Sequence, residues 1–284
     1  MRENYGCNKL LATNISTLLF VSGATPGRFD KALATQADVV CIDLEDSVPA
    51  SGKAEARAHA LAAIGRLPRL ALRINPVGTL DGLRDLVALA EAGARPALLL
   101  LPKVESAAEV AVVTGALGSG VALVPLIETP AGLAETAAIA RAADVAAMMF
   151  GGGDMAAELG VELAWEPLLA ARGAFLLGCA GVPTIDVPFI DLDDLAGLEA
   201  ETLRARALGF QAKAAIHPAQ VDIINTALRP SMPLIAEARA AAAAFADAGG
   251  AAIRFQGRML EEPVMRRYRR ILAQAKTIRT EGHA

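Results

Sequence analysis

Apolar runs along this chain keep ending on ionisable side chains. "VALVPLIE" stops at Glu128 and "VAAMMFGGGD" at Asp154, while "VVCIDLED" stops at Glu45 and Asp46. "LALRIN" carries Arg73 and Asn75, and "ALLLLPK" stops at Lys103. Ser22, Asp186, and finally Lys213 with His217 close the remaining runs. An apolar core does not gather so many charges unless they compensate each other or a ligand, so the pattern points to one shared polar site.

The residue types narrow the chemistry. Glu128 and Asp154 end successive runs, which makes their carboxylates neighbours. Two adjacent carboxylates repel, and one stays protonated unless a cation neutralises them. No histidine or cysteine pair stands at ligand spacing, so a metal site here is an all-oxygen one, which favours Mg2+. An acid/base pair working without metal is the alternative. Gly152 and Gly153 of "GGGD" let backbone approach a ligand closely. Arg73 is a fork-shaped donor suited to a substrate carboxylate. Its other role is a salt bridge to Glu45 or Asp46, and both hold if those carboxylates orient the guanidinium. Lys103 meets a phosphate or balances Glu128. His217 stands alone, and a structural hydrogen bond suits it as well as proton transfer does.

The elements that carry these residues alternate. Eight apolar runs (18–23, 39–46, 70–75, 97–103, 121–128, 145–154, 183–188 and 212–218) read as strands buried on both faces. Segments with helical spacing lie between them, among them 30–37, 80–93, 131–142 and 194–209, the last with Asp194 as cap and Gly209 as stop. The alternation predicts an α/β fold, a (β/α)8 TIM barrel with a C-terminal helical extension. An open doubly wound sheet would show a glycine-rich turn after its first strand, and "SGATPG" (22–27) does not match GxGxxG. In a barrel of this kind, chemistry gathers where the strands end. The expected organisation is a flexible N-terminal leader over 1–16, a catalytic barrel over 17–228, and a helical extension over 229–284 at a subunit interface. Within the extension, helices are expected over 231–249 and 262–276, broken at Gly249 and Gly250.

Composition sets the outer limits. The 284 residues are 54% hydrophobic but only 4% aromatic, so alanine, leucine and valine must fill the interior. Basic residues number 27 against 31 acidic, which argues against a nucleic-acid or membrane-surface partner. Three scattered cysteines make neither a disulfide framework nor a zinc site. The first residues have no apolar stretch typical of a secretory signal, and no run is long enough for a membrane span, so a cytoplasmic protein is expected.

Read together, "LFVSG", "RFDKAL", "DLEDSVP", "RINPVGT", "LPKVES", "IETPAGL", "GGGDMAAELG" and "GFQAKAAIHPAQVDIIN" resemble the citrate lyase beta subunit-like branch of the HpcH/HpaI aldolase family. The motifs run in order from Leu18 to Pro263, which covers nearly the whole chain. The resemblance implies Mg2+ held at Glu128 and Asp154, and an oxo-acid carboxylate held at Arg73. It implies a C–C bond cleaved or formed between a 2-oxo acid and an acyl thioester carried on coenzyme A or an acyl-carrier protein. It also implies a homo-oligomer, a trimer or hexamer, whose C-terminal segment reaches a neighbour's active site.

Several positions depart from the family pattern. Ser16 and Thr17 stand for an arginine and a serine, Ser22 for a proline, Gly153 for a glutamate and Ala212 for a glycine. In "GRMLEEP", Glu261 stands where related acyl-CoA lyases carry a proton-transfer aspartate. The candidate catalytic residues are therefore Arg73, Glu45, Asp46 and Glu261. Arg73, Glu128, Gly152, Gly153 and Lys103 are the candidates for substrate binding. The leading expectation is a Mg2+-dependent lyase of citryl, malyl or citramalyl thioesters. An aldolase acting on free 4-hydroxy-2-oxo acids and a non-catalytic metabolite-binding relative are the alternatives.

Overall fold

A computed structural model describes residues 15–64, 66–67 and 70–281, with side chains as far as 275. Residues 1–14 of the expected leader lie outside the described residues. Ile15 and Ser16 belong to the barrel: Ile15 is buried, the Ser16 N–H donates to Asp38 Oδ2 (2.6 Å), and its carbonyl accepts the Lys213 N–H (2.9 Å).

The chain alternates from β1 (Thr17–Ser22) through α1 (Phe29–Leu33), β2 (Val39–Asp43), α2 (Lys53–Ile64), β3 (Leu70–Arg73) and α3 (Leu80–Ala92). It continues with β4 (Leu99–Leu101), α4 (Ala107–Leu117), β5 (Leu123–Ile127), α5 (Pro130–Ile139) and β6 (Met148–Phe150). Two helices follow, α6 (Gly152–Leu159) and α7 (Trp165–Gly178), then β7 (Thr184–Asp186), α8 (Leu195–Leu208), β8 (Ala212–Ala215) and α9 (Pro218–Leu228). The eight strands are parallel and follow one another round a closed barrel, which Thr17 and Lys213 seal by pairing β1 with β8. This is the (β/α)8 barrel expected from the sequence.

Strand alternation sorts the side chains into two layers. Leu18, Val39, Cys41, Ala71, Leu100, Val124, Leu126, Met149, Ile185 and Ala214 fill the inside. Leu19, Val40, Ile42, Leu72, Leu99, Leu123, Ile127, Met148 and Phe150 face the helices. Few aromatics are needed, since alanines close the inner layer at Ala122, Ala147 and Ala212.

Helix ends follow local chemistry. Thr129 caps α5 by accepting the Gly132 N–H (3.1 Å), and Pro130 opens that helix where its missing N–H is no loss. Asp194 caps α8 in the same way, accepting from Gly197 (2.8 Å), and Gly209 ends it. Gly93, in the left-handed region (φ 60), stops α3. Helix α1 is shorter than the expected 30–37, because Thr35 Oγ1 turns back to the Ala32 carbonyl (2.6 Å).

A second compact unit runs from Arg229 onward. It holds α10 (Met232–Asp247), a hairpin of β9 (Ile253–Phe255) and β10 (Arg258–Leu260), and α11 (Glu262–Glu281). Ile235, Ala238, Phe245, Leu260, Met265 and Tyr268 form its own core. The hairpin was not among the expected elements. Among the described residues, no helix is long and apolar enough to cross a membrane.

Candidate active site

The C-terminal ends of the strands enclose a cavity of about 840 Å³. Its wall is the inward-facing set continued one step: Ser22 from β1, Asp43 from β2, Arg73 from β3, Glu128 after β5, Gly151 after β6, Val187 after β7 and Ile216 after β8. Phe20, Leu126 and Met149 form the floor.

Arg73 is held from two sides. Asp43 takes its guanidinium in a fork, Oδ1 from Nε (2.7 Å) and Oδ2 from Nη2 (2.8 Å). Asp43 is itself fixed by the N–H groups of Glu45 (2.9 Å) and Ser47 (3.1 Å). Glu45 Oε2 lies 2.9 Å from Arg73 Nη1 but off any N–H direction, so the two pair as charges while Oε2 takes no hydrogen bond. The guanidinium also lies 5.0 Å over the Phe20 ring. Burial opposes its charge, but the bonds to Asp43 and the charges of Asp43, Glu45 and Glu128 outweigh it and raise its pKa. The expected partners of Arg73 were Glu45 and Asp46. Asp43, which the sequence reading passed over, is the principal one, while Asp46 stands 3.6 Å away at the exposed rim.

Lys103 gathers the opposite side. Its backbone adopts a left-handed conformation (φ 52), uncommon for a side chain of this size and a feature of functional turns. The turn aims its N–H at Glu128 Oε2 (2.7 Å) and its Nζ at Glu45 Oε1 (2.7 Å) and Asp154 Oδ2 (3.1 Å). Glu45 thus bridges Arg73 and Lys103 from behind, and its own pKa is raised by burial against the pull of Arg73.

Glu128 is 4% exposed and packs against Gly151, where an added Cβ would come within 2.2 Å of its Cγ. Burial first and the Glu45 charge second push its pKa to about 8, against the pull of Arg73 and with Asp154 adding to the rise. Glu45 and Asp154 both raise the Glu128 pKa, so three carboxyl groups crowd one another around Lys103. That crowding suits a further cation. Among the described residues no group of three or more His, Cys, Asp or Glu is placed to hold a metal. Glu128 and Asp154 both line the cavity and offer only oxygens, the donor type of an ion that takes few protein carboxylates and fills its other positions with water and ligand oxygens, as Mg2+ does.

Asp154 sits in the first turn of α6, behind Gly152 and Gly153. The N–H groups of such a first turn have no acceptor within the helix and favour an anion. Gly153 lines the cavity and a Cβ there would meet nothing within 4 Å.

Other expected strand-end groups go elsewhere. Asp186 and Lys213 are fully buried on the outer wall, with Lys213 Nζ on Asp186 (2.8 Å), Glu201 (2.8 Å) and the Val187 carbonyl (2.7 Å). Arg172 completes this internal ion network at 3.0 Å from Asp186 and lies over the rings of Trp165 (4.7 Å) and Phe150 (5.4 Å). His217 lines the cavity and accepts the Ala219 N–H at Nδ1 (3.2 Å). Ser16 and Thr17 stand at the N-terminal end of β1, away from the cavity, where Thr17 bonds Asn225. The missing arginine at those positions therefore takes no charge from the cavity. Arg28, in the turn after β1, and Lys31, in α1, line it instead, and the "RFDKAL" motif was the signal for them. Glu261 is exposed in the second unit, directly before α11.

Comparisons with known proteins give the family. The family profile described as HpcH/HpaI aldolase/citrate lyase matches residues 16–218. An L-malyl-CoA/beta-methylmalyl-CoA lyase of Cereibacter sphaeroides is 34% identical over 92% of this chain and 94% of its own. A citrate lyase subunit beta-like protein of Mycobacterium tuberculosis is 37% identical over 87% of this chain and 90% of its own. The crystal structure of CitE from M. tuberculosis with magnesium, acetoacetate and coenzyme A superposes with a TM-score of 0.82 at 34% identity, over 93% of this chain and 99% of that one. A profile matched over most of the chain, relatives above 30% identical along nearly its whole length and a shared fold place the chain in the HpcH/HpaI aldolase/citrate lyase family.

Proposed function

We propose that this chain is a Mg2+-dependent carbon–carbon lyase. It cleaves a 3-hydroxyacyl thioester of the citryl, malyl or citramalyl type to a 2-oxo acid and an acyl thioester, or runs the reverse. The observation that carries the reading is the pairing of a buried, proton-retaining Glu128 with Asp154, opposite an Arg73 whose fork is locked by Asp43.

Glu128 and Asp154 are the residues that would hold the metal. When bound there, Mg2+ supplies Lewis acidity toward the substrate oxygens. Arg73 keeps donors on Nη1 and Nη2 beyond those given to Asp43, and these hold the substrate carboxylate. The N–H groups of Gly152 and Gly153 add to that anion site. With the carboxylate fixed, the bond to be broken is presented in one orientation. Asp46, on the cavity wall, is the group proposed to take the hydroxyl proton; the hydroxyl-bearing carbon then becomes the carbonyl of the 2-oxo acid as the C–C bond breaks, and the bond's electron pair passes to the thioester enolate. Lys103, whose pKa is raised by Glu45, Glu128 and Asp154 against the cost of burial, stays charged beside that developing anion. Glu261 is the group proposed to protonate the enolate, supplied by a neighbouring copy in a trimer or hexamer. Arg28 and Lys31 offer positive charge to the phosphates of a coenzyme A or acyl-carrier thioester. Cys41 and Cys179 are free buried thiols, which suits the reducing cytoplasm proposed for the chain.

The test is oxo-acid release from malyl-, citramalyl- and citryl-CoA, beside free 4-hydroxy-2-oxo acids, with MgCl2. Turnover of thioesters alone supports the reading, and Asp154→Ala abolishes it in a protein that stays folded. Turnover of free acids alone makes the chain an aldolase, and binding without turnover makes it a metabolite-binding relative. Either result removes the proposal.

A further inference from the structure

Behind the site, a buried polar chain ends on a group that faces no ligand. Lys53, the first residue of α2, directs its ammonium at three acceptors: the Leu44 carbonyl (2.7 Å), the Glu45 carbonyl (2.6 Å) and Asn75 Oδ1 (2.6 Å). Three protons meet three acceptors, so the ammonium is fully used. Asn75 in turn donates its backbone N–H (2.8 Å) and its Nδ2 (2.7 Å) to Asp85 Oδ2 on α3. Asp85 Oδ1 takes Arg57 Nε (2.5 Å), which returns the chain to α2. Asn75 and Asp85 are buried at 4% and 1% exposure, and none of the four side chains lines the cavity.

What this chain grips is the backbone that carries the site. Leu44 and Glu45 follow β2, and Asn75 follows β3 two residues after Arg73. A single ammonium therefore ties together the two strand ends that bear Glu45 and Arg73. Glu45 needs such a tie. Its Oε1 bonds Lys103, its Oε2 has only the off-axis charge of Arg73, and no hydrogen bond to Oε2 fixes the carboxylate. Its placement rests on its main chain, whose N–H donates to Asp43 (2.9 Å) and whose carbonyl accepts the Val48 N–H (3.1 Å) and, as the one side-chain donor, Lys53 (2.6 Å).

We propose that Lys53, backed by Asn75 and Asp85, is a positioning residue for the reaction. The backbone ladder sets the register of β2 and β3 as far as Asp43 and Arg73, and Lys53 holds the segments just beyond it, so that Glu45 bridges Arg73 and Lys103 at the angle the chemistry uses. The role rests on the lyase reading for its kinetic consequence, while its structural consequence stands apart from that reading.

Lys53→Met keeps the unbranched stem as far as Cε and removes the donors. The control is Asn225→Ala, which removes buried bonds to Thr17 and to the Gln36 carbonyl at the opposite end of the barrel. In Lys53→Met, kcat falls at least about 30-fold while KM for the thioester changes less than about fivefold. Arg73 and Lys103 remain charged and still attract the anion, but their alignment is lost. Asn225→Ala loses melting temperature with kcat within about twofold of wild type. Crystal structures of both variants give the second readout: in Lys53→Met the Glu45 carboxylate leaves Lys103, and in Asn225→Ala it does not. A Lys53→Met protein with wild-type kcat, or with Glu45 still bonded to Lys103, overturns the proposal. So does a kcat loss in Asn225→Ala that matches the one in Lys53→Met. If wild type turns over no thioester, the lyase reading falls, and the two structures still decide what Lys53 does.

Discussion

Gly151→Ala puts the smallest possible probe against the candidate metal ligand. Gly151 has φ −97, a value open to alanine, so the backbone resists nothing and the effect is purely one of space. The new Cβ would lie 2.2 Å from Glu128 Cγ, 2.6 Å from Oε1 and 2.8 Å from Cδ. Non-bonded carbons rest at about 3.5–4.0 Å, so the pair must separate by roughly 1.5 Å. The backbone cannot give that much, because the Gly151 N–H is bonded to the Ile127 carbonyl (2.9 Å) and its own carbonyl to the Met155 N–H (3.2 Å). Glu128 must therefore move, and the bond from Lys103 N–H to Oε2 goes with it. A displacement of this size at a reacting centre costs about 10²-fold in rate. We expect kcat/KM to fall by about that factor and Mg2+ affinity, measured by titration calorimetry, to fall with it. Gly173→Ala, on α7, away from the cavity lining and with open space around its Cβ, should stay within about threefold of wild type. If Gly151→Ala binds Mg2+ and turns over like wild type, Glu128 is not the ligand and the site has been misread.

Glu128 also sets a pH dependence. Between its ordinary value of 4.5 and about 8, the metal-free folded chain keeps a proton that the unfolded chain has released. Its contribution to stability is thus present at low pH and lost as pH rises through 8. Metal binding must expel that proton, so Mg2+ affinity should rise about tenfold per unit below pH 8; an affinity flat from pH 6.5 to 8 would contradict the assignment. Asp186→Asn leaves Lys213 and Arg172 buried without their shared carboxylate and should cost about 3–5 kcal/mol in urea unfolding. An unchanged unfolding midpoint would show that the outer ion network is not needed for stability.

The barrel was legible because its strands are buried on both faces. The stretches 70–72 and 97–101 are apolar on every residue, inward and outward alike, which distinguishes them from the helices with their mixed faces. Their ends were less legible. The run 145–154 reads as one stretch, yet β6 occupies only Met148–Phe150, and Gly152 already begins a helix. Nothing in the apolar pattern marks that change, since the glycines continue it. The hairpin of Ile253–Leu260 was invisible for the opposite reason: its strands are three residues each and partly exposed, with Arg254, Arg258 and Met259 outside, so no apolar run forms.

Which charges make the site was decided by something the sequence does contain. Side chains on a strand alternate between the inside of the barrel and its outer wall, so one inward residue per strand fixes all the others. Cys41 is inward, and Asp43 two residues later must be too; Ala71 does the same for Arg73, and Leu126 for Glu128. Ile185 is inward, which turns Asp186 outward, and Ala212 and Ala214 turn Lys213 outward between them. Counting strand-end charges without this parity gathered both sets into one site and overlooked Asp43. The physical difference between the sets is solvent. On the outer wall, a charge is sealed beneath helices and must be neutralised by its neighbours, as Arg172, Glu201, Asp186 and Lys213 neutralise each other. Inside the mouth, the barrel opens to a cavity, and the carboxyl groups crowded around Glu128, with the donors that Arg73 keeps, are what a cation and an anionic substrate can complete.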